Sequence, residues 1–92
     1  MALQITENNG ILFLKGDLNT NTSNLIVNYF ENMFKSKQKI TLNIDYVNSI
    51  DRTGVKTITN LLGKTANNGN YFSVIGNGSK DLYDEFFSQQ VA

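Results

Sequence analysis

A chain of 92 residues without histidine or cysteine leaves its chemistry to carboxylates, amines and hydroxyls. Disulfides, thiol nucleophiles, imidazole or thiolate metal sites and histidine acid–base catalysis are all excluded. Among the groups that remain, position singles out Asp51-Arg52-Thr53-Gly54-Val55. Upstream of it, Ile40, Leu42 and Ile44 alternate with Thr41, Asn43 and Asp45, the period of a strand with one buried and one wet face, and a strand is expected to end near Asp45. Downstream, Val55, Ile58, Leu61, Leu62 and Ala66 fall on one helical face, so a helix should begin at Arg52 or Thr53. Asp51 and Thr53 are both suitable N-caps, since either side-chain oxygen can take a backbone N–H that the first helical turn leaves unpaired. The simplest use of these residues is therefore to cap a helix. A phosphate carried by the hydroxyl would also be welcome there, beside unpaired N–H groups at the positive end of the helix dipole.

Other candidates carry less chemistry. Gly76-Asn77-Gly78-Ser79-Lys80 has the composition of a phosphate loop but the spacing of neither a Walker motif nor a dinucleotide fingerprint. Asp81, Asp84 and Glu85 read as a solvated helix face with acid near its N-terminus. The stripe Leu25, Ile26, Tyr29, Phe30, Met33 and Phe34 reads as a helix face buried on a sheet rather than a ligand box. Asn21-Thr22-Ser23 and Asn77-Gly78-Ser79 match the glycosylation sequon, which carries no meaning without secretion.

The elements that must position the Asp51–Val55 segment follow from composition and pattern. Ninety-two residues suit one small domain, 1–92, burying somewhat more than about 60% of its unfolded surface. Hydrophobic residues make up 40%, aromatics 11% and charged residues 17%, a composition that supports a packed core. Eight basic and eight acidic residues give zero formal net charge, which removes the electrostatic footprint of a nucleic-acid binder. No apolar run approaches the roughly 18 residues of a membrane span and the first residues do not form a leader, so the expected location is the cytoplasm. Asn8-Asn9-Gly10 should turn a hairpin between a strand at Leu3–Ile5 and a second at Ile11–Leu14, which Gly16 ends. A helix from about Ser23 to Ser36 follows, then the central strand and the second helix. Ala66-Asn67-Asn68-Gly69-Asn70 should break that helix, with Gly69 available as the left-handed residue after its end. Tyr71–Ile75 is a strand, and a last helix buries Leu82, Tyr83, Phe86 and Phe87. Strand, strand, helix, strand, helix, strand, helix predicts an α/β fold: a small mixed sheet, with an N-terminal antiparallel hairpin and right-handed parallel crossovers. The alternation at Ile40–Asp45 puts the helices mainly on one face, because a parallel strand covered on both sides would be continuously apolar. Phe13, Phe30, Leu42, Ile44, Ile58, Leu62, Val74 and Phe86 are the expected core.

An apolar strand, Val47, Ile50 and then Asp51-Arg52-Thr53-Gly54-Val55 resembles the STAS domain family, shared by sulfate transporters and bacterial anti-sigma factor antagonists. There a central strand leads into an Asp-Ser-Ser-Gly-Leu type motif at a helix start, and a partner kinase phosphorylates the second hydroxyl. Thr53 matches that hydroxyl. The resemblance covers nearly the whole chain, with Gly16-Asp17-Leu18-Asn19 where the family often carries Gly-Glu-Leu-Asp and Tyr71–Gly76 where it has its last strand. This chain departs from the pattern at Asn19 and Asn43, amides where the family usually has Asp, at Arg52, which replaces the first hydroxyl, and in having Thr as acceptor. A site with less negative charge and an added guanidinium attracts a phosphate or an acidic surface more strongly.

The resemblance implies a protein-binding module switched by phosphorylation of Thr53, with Asp51, Arg52, Thr53, Gly54, Asn19 and Asn43 at the partner surface. The implied partners are an anti-sigma factor or serine/threonine protein kinase and a phosphatase. A STAS adaptor subunit without phosphorylation, part of a transporter or signalling assembly, is the alternative. An enzyme is disfavoured by the missing histidine and cysteine and the lack of a convergent carboxylate cluster. No cofactor or metal is expected. Gly54 is expected to permit a close approach at the helix start, of backbone or of a partner.

Overall fold

In the computed structural model, which describes residues 2–36 and 39–90, Asn9 and Gly10 have φ angles of 54° and 82°. A two-residue hairpin turn needs that left-handed pair, and it folds β1 (Gln4–Asn8) antiparallel onto β2 (Ile11–Leu18). The chain continues through α1 (Ser23–Phe34), β3 (Lys39–Ile50), α2 (Arg52–Asn68), β4 (Tyr71–Ile75) and α3 (Ser79–Gln90). β3 lies parallel to β2 on one side and to β4 on the other. Among the described residues the result is a four-stranded mixed sheet in the order β1-β2-β3-β4 with three helices, the α/β class expected from the sequence.

The helices cover one face of the sheet. Leu12, Leu14 and Leu18 of β2, Ile40, Leu42 and Ile44 of β3 and Val74 of β4 are buried against Ile26, Phe30, Ile58, Leu61, Leu62 and Leu82. Each such side chain contributes roughly 1.5–3 kcal/mol by leaving water. Phe72 meets Phe30 edge-on at 5.0 Å, which closes the core at the β4 side. Two of the expected core residues sit elsewhere. Phe13 is half-buried on the opposite face, because side chains alternate along β2 and only Leu12 and Leu14 of the run Ile11–Leu14 point to the helices. Phe86 packs half-buried against the margin of the core, and Phe87, expected on the buried side of the last helix, is exposed.

β3 is longer than its alternation predicts, ending at Ile50 rather than near Asp45. β2 likewise runs past Gly16 to Leu18. The two extensions pair with each other, Lys15 with Tyr46, Gly16 with Val47, Asp17 with Ser49 and Leu18 with Ile50, across two register shifts. Each shift inserts an extra β3 residue and resets the alternation, so the segment reads as a loop in sequence and forms a strand in space. α1 ends at Phe34, and the backbone N–H of Lys35 and of Ser36 then bonds to the carbonyls of Asn32 and Met33 in a tightened last turn. α2 runs into the expected breaker cluster as far as Asn68 and is capped, as expected, by Gly69, left-handed at φ 76°.

Candidate functional site

The junction of β3 and α2 is stitched to β2 before the helix begins. Asp51 has an extended backbone at φ −95° and ψ −177°, its N–H donates to the Leu18 carbonyl at 3.1 Å, and its Oδ1 accepts the Gly54 N–H at 2.8 Å. Asp51 is thus the N-cap, which leaves the Thr53 hydroxyl free of that duty. Gly54 is buried, and a Cβ there would lie 2.5 Å from the Leu18 carbonyl oxygen and 2.9 Å from Ile50 Cγ1. The close approach expected at this glycine is therefore to the protein's own backbone.

Arg52 and Thr53 are exposed on the first turn of α2. The Thr53 hydroxyl accepts a hydrogen bond from the Thr20 hydroxyl at 3.1 Å. One turn on, Thr57 Oγ1 donates to the Thr53 carbonyl at 2.9 Å. Thr20 sits in the loop between β2 and α1, and Asn19 shapes that loop. Asn19 Oδ1 accepts from the N–H groups of Asn21 at 2.9 Å and Thr22 at 3.2 Å, while its carbonyl accepts from Ser23 Oγ at 2.6 Å. The Asn19 side chain is accordingly spent inside its own loop and acts on the site by placing Thr20. Arg52 forms no ion pair among the described residues and borders a small recess with Val55 and Glu85.

Asn43 is not brought to this place. It pairs with Phe13 and Ile75 in the middle of the sheet, its Oδ1 accepting the Asp45 N–H at 2.8 Å. With Leu18 opposite Ile50 and Phe13 opposite Asn43, the two levels lie five residue steps apart on β2, or about 17 Å of strand. The expected site therefore divides: Asp51, Arg52, Thr53 and Gly54 meet the Asn19 loop at one end of β2 and β3, and Asn43 lies on the uncovered face of the sheet.

The glycine-rich start of α3 is closed from within. Asp45 Oδ1 accepts the Asn77 N–H at 2.7 Å, so a carboxylate of the chain already occupies the place an external anion would take. Lys80 is held to Asp84 at 2.8 Å, and that hydrogen bond raises its pKa. Among the described residues no group of three or more His, Cys, Asp and Glu side chains could hold a metal ion. Thr20 and Asp45 were not singled out from the sequence. Both act across about 32 residues of chain, and nothing local distinguishes Thr20 from the other polar residues of its loop.

The STAS domain model matches residues 1–81. No curated protein sequence matches the chain. Among solved structures, a protein proposed to be an anti-sigma factor antagonist, from Thermotoga maritima, superposes with a TM-score of 0.67 at 18% identity, over 98% of this chain and 82% of that one. SiaC of Pseudomonas aeruginosa superposes at 0.57 and 16% identity over 97% of this chain and 92% of its own. The protein Mglu superposes at 0.62 and 16% identity over 77% of this chain, which spans only 18% of Mglu.

Proposed function

Because the chain belongs to the STAS domain family, we propose that it is a phosphorylation-switched protein-binding module, with Thr53 as the acceptor. In this reading it binds an anti-sigma factor or a serine/threonine protein kinase in the cytoplasm when Thr53 is free. A kinase ends the interaction and a phosphatase restores it. The observation that carries the reading is the exposure of Thr53 on the first turn of α2, with the cap already supplied by Asp51. A phosphate there meets the positive end of the helix dipole and leaves the core untouched. Its added charge of about −1.5 to −2 and its bulk then act on the docked partner. In this reading exposed Arg52, adjacent in the chain, supplies the cation that clasps the phosphate.

A non-phosphorylated STAS adaptor is the second reading, and the Thr20–Thr53 hydrogen bond favours it, since there Thr53 serves as a contact between two elements. Incubation of the protein with lysate and ATP, followed by mass mapping, separates the two. The switch predicts one phosphate on Thr53, none in Thr53→Ala, and weakened partner binding by a folded Thr53→Glu. An unmodified Thr53, or equal binding by wild type and Thr53→Glu, selects the adaptor.

A further inference from the structure

The sheet has two edges, and their strands are built differently. β1 forms one edge and carries Gln4, Thr6, Glu7 and Asn8, polar and acidic side chains of the kind that discourage a further strand from adding. β4, at the other edge, reads Tyr71-Phe72-Ser73-Val74-Ile75. It is rich in β formers and has no charge, no proline and no bulge, its register with β3 running unbroken from Lys39 opposite Tyr71 to Asn43 opposite Ile75. Tyr71 and Ile75 are exposed. A segment of this composition on a sheet edge is a template for another strand. On its outer side stands Tyr83 of α3, whose hydroxyl accepts the Val74 N–H at 2.8 Å. The Tyr83 ring is half-buried against the core, stacked with Phe87 at 6.3 Å.

Backbone geometry selects the strand that would fit. The N–H and C=O groups of a strand point alternately to its two sides, so with Val74 turned to Tyr83, Phe72 faces outward beside it and Tyr71, Ser73 and Ile75 turn to β3. An antiparallel copy of the same strand, centred on Ser73, sets Phe72 opposite Val74 of the second copy, and these are the residues able to exchange N–H to C=O bonds. Tyr71 then lies opposite Ile75 on the uncovered face, a favourable aromatic and β-branched pair. β4 offers no charge to select a charged partner, and zero formal net charge leaves two copies without long-range repulsion. The occupant that matches the edge is therefore a second copy of the chain. We propose that β4 is a latent self-pairing edge and that the Tyr83 hydroxyl holds it shut, by taking the Val74 N–H that the pairing needs. β4 pairs with Lys39–Asn43 at the start of β3, whereas Thr53 follows its end, so this device goes beyond the phosphorylation reading and does not rest on it.

Tyr83→Phe keeps the ring but removes the bond that holds it over the edge. Sedimentation of the full chain over a concentration series up to the millimolar range should find the wild type monomeric and Tyr83→Phe in equilibrium between monomer and dimer. In dilute Tyr83→Phe the Val74 amide should exchange about five- to tenfold faster than in wild type, the loss of one hydrogen bond. Protection at Phe72 and Val74 should return as the dimer forms. Adding Ser73→Lys to Tyr83→Phe sets two like charges opposite each other at the centre of the pairing and should restore the monomer. A wild type that dimerises as readily as the variant, a Tyr83→Phe chain that stays monomeric, or unchanged exchange at Val74 overturns the proposal. So does a dimer indifferent to Ser73→Lys, or one whose new protection falls on β1 instead of β4.

Discussion

The starts of α2 and α3 are made of similar parts and do opposite things. Both follow a strand that runs parallel to β2 and β3, both contain glycine and a hydroxyl, and both place a carboxylate on a backbone N–H, Asp51 on Gly54 and Asp45 on Asn77. At α3 the carboxylate comes from another strand and fills the concavity, and the nearby lysine is bound to Asp84. At α2 the carboxylate is the local cap, so the next two side chains, Arg52 and Thr53, face solvent. Both starts are thus supplied with an anion by the chain, and they differ in where it comes from and in what the helix then leaves exposed beside it. Glycine and lysine content points to α3, whereas the exposed hydroxyl and guanidinium stand at α2.

The largest test of this contrast is Gly54→Val. Its Cβ would collide with the Leu18 carbonyl, and the variant should lose about 3 kcal/mol in denaturant unfolding. A wild-type midpoint would mean that α2 is not locked to β2. Ile58→Ala, in the core beneath α2, should cost a comparable 2–5 kcal/mol or so. Asp51→Ala removes the cap and should cost about 1 kcal/mol, with Asp51→Asn recovering most of it. Asp45→Ala should cost about 1 kcal/mol as well, but its amide-exchange signature differs: protection should fall at Asn77 in the α3 start and stay unchanged at Gly54. Loss at both sites would show the two starts to be one cooperative unit. Thr20→Val should shift stability by no more than about 0.5 kcal/mol while changing the χ1 distribution of Thr53, measurable by NMR couplings. At the small end, Lys80→Ala should leave the melting curve unmoved, as expected of a solvated pair at helical spacing.

Much of this was legible in the residues. Period-2 alternation at Ile40–Ile44 and the helical stripe from Val55 are local consequences of side-chain geometry, so the strand, the helix and the face each buries could be read directly. The Asn9-Gly10 turn, the Gly69 cap and the two possible caps at Asp51 and Thr53 are equally local, because backbone φ and unpaired N–H groups restrict which residues serve there. Tertiary structure alone decided between those two caps, through the Leu18 carbonyl that fixes Asp51 and crowds Gly54. It also carried β3 on to Ile50, since pairing with β2 across two bulges rewards a segment whose own pattern is irregular. It set Thr20 against Thr53, Asp45 against Asn77 and Asn43 about 17 Å along the strands from the α2 start. Each of these depends on which strands lie side by side and in what register, and hydrogen bonds between residues some 32 positions apart leave no periodic trace in the chain.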